Sequence, residues 1–97
     1  MRQIRALPRF TRDLKRLKRE LPRNALDFDT LEYILEFLSE GKPLPEVFRD
    51  HPLRDEWSGL RECHLDADWL LIYRVKPDLV VLHRTGTHQQ MFKRTKR

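Results

Sequence analysis

The sequence predicts an α+β fold: an N-terminal strand, a two-helix hairpin, then three or four strands forming a twisted antiparallel sheet, and a short C-terminal helical turn. Three observations carry this. Apolar residues recur at spacings of three and four up to Leu38. Beyond Pro52 the period shifts toward two, with one nearly continuous apolar run at 69–75. Proline and glycine punctuate the chain between these stretches at Pro8, Pro22, Gly41, Pro43, Pro45, Pro52 and Pro77.

Gln3 to Leu7 is the first strand candidate. Pro8 suits the first turn of a helix, where a missing N–H costs nothing. Leu7, Phe10, Leu14, Leu17 and Leu21 fall on one helical face, and Arg9, Arg12, Lys15, Arg16, Lys18 and Arg19 fill the other positions. Pro22 stops that helix. A second helix is expected from Asp29, with Asp29 and Glu32 as a capping-box pair, Leu31, Ile34, Leu35 and Leu38 as its stripe, and Gly41 at its left-handed end. Two helices joined by a short turn read as an antiparallel hairpin.

Lys42 to Pro52 reads as an ordered loop. Strands are expected at Leu53–Glu56, Gly59–Leu65, Trp69–Val75 and Leu79–Arg84, with Pro77-Asp78 as a turn. Thr87, with Gln90 three residues on, can cap the terminal turn. The basic run 93–97 is expected to be a mobile tail. One domain is expected for 97 residues, with a core too small to enclose a large cofactor.

The net charge is +5 and the sequence pI about 9.8, which points to a polyanionic partner. No apolar run approaches the roughly 20 residues of a membrane span. No apolar stretch near the N-terminus suggests a secretory signal, and a single cysteine, Cys63, forms no internal disulfide. A cytoplasmic protein is the expectation.

The chemistry is concentrated in the second half. His51, His64 and His88 each lie at the edge of an expected strand, and Asp68 follows His64 by four residues across a turn. Imidazole gives and takes protons near neutral pH. RNA cleavage needs a base for the 2′-OH, an acid for the departing 5′-oxygen, and positive charge on the phosphorane. Histidines or a histidine and an aspartate fill the first two needs, Arg61 and Arg84 the third, and Trp69 and Phe92 could stack on an unpaired base.

Taken singly, each histidine is more often a surface or structural residue, and His83, inside a strand, keeps that reading. Asp68 could simply stabilise its turn, and Trp69 could be partly core. Cys63 adjoins His64, but neighbouring strand residues point to opposite faces, which argues against a Cys–His nucleophile pair. Three histidines and an aspartate are also a metal-ligand set. No HExxH or paired CxxC spacing is present, which weighs against zinc without closing the question.

The string Pro43-Leu44-Pro45, Val47-Phe48, Asp50-His51-Pro52-Leu53, Trp57, Gly59, Arg61, His64, Asp68-Trp69, Leu71-Ile72-Tyr73 and Arg84-Thr85-Gly86-Thr87-His88 is specific in its order and spacing. It resembles the YafQ branch of the RelE/ParE toxin superfamily through most of 43–92, and the preceding strand–helix–helix layout agrees. The resemblance implies a RelE-like fold and a type II toxin that is a ribosome-dependent mRNA interferase. Cleavage by such toxins runs through the 2′-OH in the ribosomal A site and needs neither metal nor cofactor. It also implies a cognate antitoxin, commonly of the ribbon–helix–helix type, with operator DNA bound only through that antitoxin.

The positions carried over by motif are His51, His64, Asp68 and His88 as catalytic, and Trp69, Phe92, Arg61 and Arg84 as substrate contacts. His88 and Asp68 are favoured for proton transfer, with His51 and His64 orienting the phosphate or sharing the acid role. Two features depart from the family pattern: the tail 93–97 runs past it, and the first helix is more basic. The competing reading is a non-catalytic ParE-like or decayed toxin that acts only through protein binding. A third, a small basic nucleic-acid binder, rests on charge alone.

Overall fold

The computed structural model describes residues 1–22, 25–66 and 68–92, with backbone alone for Phe92. The expected tail at 93–97 lies outside the described residues. Strand β1 (Gln3–Ala6) leads into helix α1 (Pro8–Glu20), and α2 follows at Phe28–Glu40. Then come β2 (His51–Pro52), β3 (Arg61–Asp66), β4 (Trp69–Lys76), β5 (Leu79–Gly86) and α3 (His88–Phe92). The five strands form one sheet in the order β1-β5-β4-β3-β2.

Local chemistry sets the helix ends. Pro8 occupies the first turn of α1. Leu21, which precedes Pro22, is extended at φ −106 and ψ 156, because the proline ring disfavours a helical residue before it. The second helix starts earlier than expected. Asp27 is its cap, with Oδ1 accepting from Asp29 N at 3.1 Å and Thr30 N at 3.2 Å, so Asp29 lies inside the first turn. Gly41 closes α2 in the left-handed region at φ 73, and Lys42 N–H returns to the Phe37 carbonyl at 3.0 Å.

The sheet is mixed, not wholly antiparallel. β1 runs parallel to β5, with Ile4 opposite Val80, while the other pairs are antiparallel. The expected strand at 53–56 is also absent. The chain makes a two-residue edge strand at His51–Pro52 and a 3-10 turn at Asp55–Trp57. Pro52 is tolerated there because an edge strand does not need every N–H, and Asp55 turns the chain at φ 56.

Alternation along β4 divides the interior. Trp69, Leu71 and Tyr73 face the helices and pack with Phe10, Leu17, Leu31, Ile34 and Leu38. Leu70 and Ile72 face the other way and pack with Met91, Leu53, Trp57 and Leu60. Each fully buried Leu or Ile side chain contributes about 1.5–3 kcal/mol. The face away from the helices is therefore covered at one end by this second cluster.

Two register shifts shape the strand ends. One lies between His64 and Asp66, which pair with Leu70 and Trp69, so Leu65 is the extra residue. The other lies opposite Ile72 and Tyr73, which pair with Arg84 and Leu82 and leave His83 as the extra residue.

Candidate active site on the histidine face

Cys63 and Leu65 point into the helix-side core, so Glu62 and His64 face the opposite side of β3. His51, on the neighbouring edge strand, is opposite Glu62 in register. Arg49 is left-handed at φ 51 and turns the chain immediately before this pairing. Its carbonyl lies 2.7 Å from His51 Nδ1 and fixes the ring.

The third histidine arrives on α3. Thr87 and Gln90 form a reciprocal capping box: Thr87 N donates to Gln90 Oε1 at 3.0 Å, and Gln90 N donates to Thr87 Oγ1 at 3.1 Å. This sets the angle at which α3 leaves β5 and places His88 beside His64.

The three rings converge. His51 and His64 have centroids 6.2 Å apart, and His64 and His88 5.8 Å apart. Asp68 Oδ1 accepts from His88 N at 3.4 Å and lies 4.0 Å from His88 Nδ1. The four residues expected to be catalytic are thus brought together from β2, β3, the β3–β4 turn and α3. A cleft of about 310 Å³, lined by Val47, Phe48, Arg49, His64, Leu65 and Asp66, opens beside them.

Glu62, which the sequence reading passed over, belongs to this group. It is 3 % exposed, and its Oε1 lies 3.1 Å from His51 Nε2 and 3.7 Å from His64 Nε2. Period-two alternation would have found it, since it sits two residues before His64 on the same face. Burial lowers the proton affinity of His64 below the ordinary imidazole value, and Arg49, His88 and His51 add to this while Glu62 opposes it. His83 stands apart from the cluster, and burial with Arg74 and Lys76 nearby lowers its proton affinity too.

The expected substrate contacts fare differently. Trp69 is 4 % exposed in the helix-side core, with its ring edge against Phe28 and its indole N–H donating to Thr85 Oγ1 at 2.7 Å. It does not line the histidine face. Its position at the start of a buried strand sends odd-numbered side chains inward. Arg84 is held by Asp13 of α1, with Nε 2.7 Å from Oδ2. Arg61 is held by Asp50 at 3.2 and 3.1 Å, and Tyr73 donates its hydroxyl to the same carboxylate. Both guanidiniums are thereby committed to structural partners. The side chain of Phe92 lies outside the described residues. Cys63 is fully buried, and burial pushes its thiol well up, against any nucleophilic use.

Among the described residues, no group of three or more His, Cys, Asp or Glu side chains is arranged to hold a metal ion. No helix among them is long and apolar enough to cross a membrane.

The family model described as "Bacterial toxin of type II toxin-antitoxin system, YafQ" matches residues 2–93. The mRNA interferase toxin YafQ of Escherichia coli (strain B / BL21-DE3) is 36% identical over 92 residues, covering 94% of this chain and 96% of that protein. In the crystal structure of the E. coli DinJ–YafQ complex, the matched chain has a TM-score of 0.80 and 35% identity, covering 95% of this chain and 99% of that one. A metal-bound toxin from Helicobacter pylori has a TM-score of 0.82 and 34% identity, covering 95% of this chain and 100% of that one. With nearly its full length matched in sequence and in fold, the chain belongs to the YafQ family of bacterial toxins of type II toxin–antitoxin systems.

Proposed function

We propose that this toxin is an mRNA interferase: a ribosome-dependent endoribonuclease that cuts translated message by metal-free general acid–base catalysis. The observation that carries the reading is the convergence of His51, His64 and His88 with Asp68 on one face. The kinship with E. coli mRNA interferase YafQ supports it. In the reaction the ribose 2′-oxygen forms a bond to phosphorus and the bond from phosphorus to the 5′-oxygen breaks. The 2′-OH proton passes to a base, and an acid protonates the leaving oxygen. The products are a 2′,3′-cyclic phosphate and a 5′-hydroxyl.

His64 is the group matched to take the 2′-OH proton, because burial leaves its ring neutral at neutral pH. His88, beside Asp68, is matched to protonate the leaving oxygen. His51, anchored by the Arg49 carbonyl and the Glu62 carboxylate, flanks His64. Arg49, which lines the cleft next to His64, takes the electrostatic role first expected of Arg61 and Arg84. The partner is a cognate antitoxin, by analogy with the complex of E. coli YafQ with DinJ.

Expression of the full chain without antitoxin, with primer extension on a translated message, tests this. Discrete cuts are expected in the presence of ribosomes, also from toxin that has been stripped with EDTA and freed of the chelator before mixing. His88→Ala and Asp68→Asn should slow cleavage about 10²- to 10⁴-fold. Growth arrest without cuts would favour the non-catalytic, ParE-like reading.

A further inference from the structure

His51 is ringed by acceptors. Its Nδ1 faces the Arg49 carbonyl at 2.7 Å, and its Nε2 faces the Glu62 carboxylate at 3.1 Å. A carbonyl oxygen only accepts, so Nδ1 carries a hydrogen. A neutral ring would then turn its lone pair at Nε2 toward a buried carboxylate oxygen, which is repulsive. The contact is satisfied only if one more proton lies between Nε2 and Glu62. The same Oε1 is 3.7 Å from His64 Nε2. One buried oxygen therefore lies close to both rings.

We propose that Glu62 is a positioning residue that holds a proton jointly with His51 and couples His51 electrostatically to His64 through one carboxylate. This deepens the proposed RNA-cleaving reading and rests on it for its use in catalysis. Glu62 does not touch the substrate; it is buried beneath the two rings. It fixes the edge strand β2 against β3 by its contact with His51, across the register pair His51–Glu62. On the helix side of the same strand, Arg61 grips Asp50, so β3 holds two successive residues of the edge from opposite faces.

The consequence for His64 has a definite sign. The groups facing it are Glu62 on its own strand, His51 on β2, Arg49 ahead of β2, and His88 on α3, with Asp68 beside His88. Burial and the neighbouring Arg49, His88 and His51 disfavour the charged ring, and Glu62 favours it. Removing its charge lowers the proton affinity of His64 further.

The test uses the full-length chain and its Glu62→Gln and Glu62→Asp variants. Imidazole resonances are followed by NMR across pH, without RNA, beside the pH profile of message cleavage. In Glu62→Gln, His64 is expected to titrate at lower pH than in the parent, and the acidic limb of the cleavage profile to move the same way. The cleavage turnover falls roughly 10- to 100-fold, as for loss of a residue that orients a reacting imidazole, with KM little changed. Glu62→Asp keeps the charge, one methylene further back, and restores part of the turnover and of the titration.

An unmoved His64 titration in both folded variants overturns the proposal, as does a loss of cleavage confined to KM. If Glu62→Gln does not fold, the Asp variant alone decides between a shifted and an unshifted ring. A moved titration in proteins that cut no message would leave the coupling intact and sink the nuclease reading instead.

Discussion

Removing Asp13 should cost stability, because it is the buried partner of Arg84. Its Oδ2 accepts from Arg84 Nε at 2.7 Å and from Thr85 N at 3.1 Å, and its Oδ1 accepts from Arg84 Nη2 at 3.3 Å. The two side chains are 10 % and 17 % exposed. Asp13→Ala strands a guanidinium and a backbone N–H away from most water. Breaking a buried ion pair from one side costs about 3–5 kcal/mol. Arg84 keeps some solvent, so the lower end applies, about 3 kcal/mol. For a chain of this length that lowers Tm by roughly 12–24 °C. Urea and thermal unfolding followed by circular dichroism measure it, with the urea slope unchanged. Replacing both partners, Asp13→Leu with Arg84→Met, should recover most of the loss, since no orphaned charge is left. A loss below about 1 kcal/mol for Asp13→Ala would refute the reasoning. So would an Arg84→Met protein of parental stability that no longer cuts message, which would return Arg84 to the substrate.

Two further outcomes follow from the geometry. A Cβ at Gly86 would come within 2.8 Å of Gln90 Oε1, so Gly86→Ala displaces the amide that caps α3. We expect about 1 kcal/mol of lost stability by urea unfolding, and a larger loss of cleavage because α3 carries His88; unchanged cleavage would contradict this placement. The second concerns pH. The folded-state proton affinity of His64 is depressed, so the unfolded chain binds the extra proton first as pH falls below about 6.5. The stability His64 contributes is full above that pH and is lost as pH drops through the lower folded value. Unfolding measured between about pH 7.5 and pH 5 should show a smaller decline in His64→Gln than in the parent.

Much of the fold was legible because its signals are local. The apolar spacing of α1, the proline at each of its ends and the Thr87–Gln90 capping box are all set within a few residues. The start of α2 was misplaced by two residues because Asp27 and Asp29 are equally good caps by type, and only the backbone decides which side chain meets free N–H groups. The strand at 53–56 failed because the positive φ of Asp55 carries no strong sequence mark. The parallel placement of β1 was invisible for a different reason: it pairs residues separated by most of the chain.

Three histidines and Asp68 at element edges, the helix faces and the basic balance of the chain can all be read along the chain alone. Periodicity assigns a residue to one side of its own element, and that is a property of neighbours along the chain. Which partner waits on that side is not. Arg84 meets Asp13 across 71 residues, Tyr73 meets Asp50 across 23, and Trp69 turns into the core while His64, five residues earlier, turns out of it. That two candidate RNA-binding arginines are tied to carboxylates, and that a buried carboxylate, Glu62, lies beneath two of the histidines, emerges from packing across the fold. Electrostatic partners are chosen by packing in space, and no spacing rule along the chain encodes that choice.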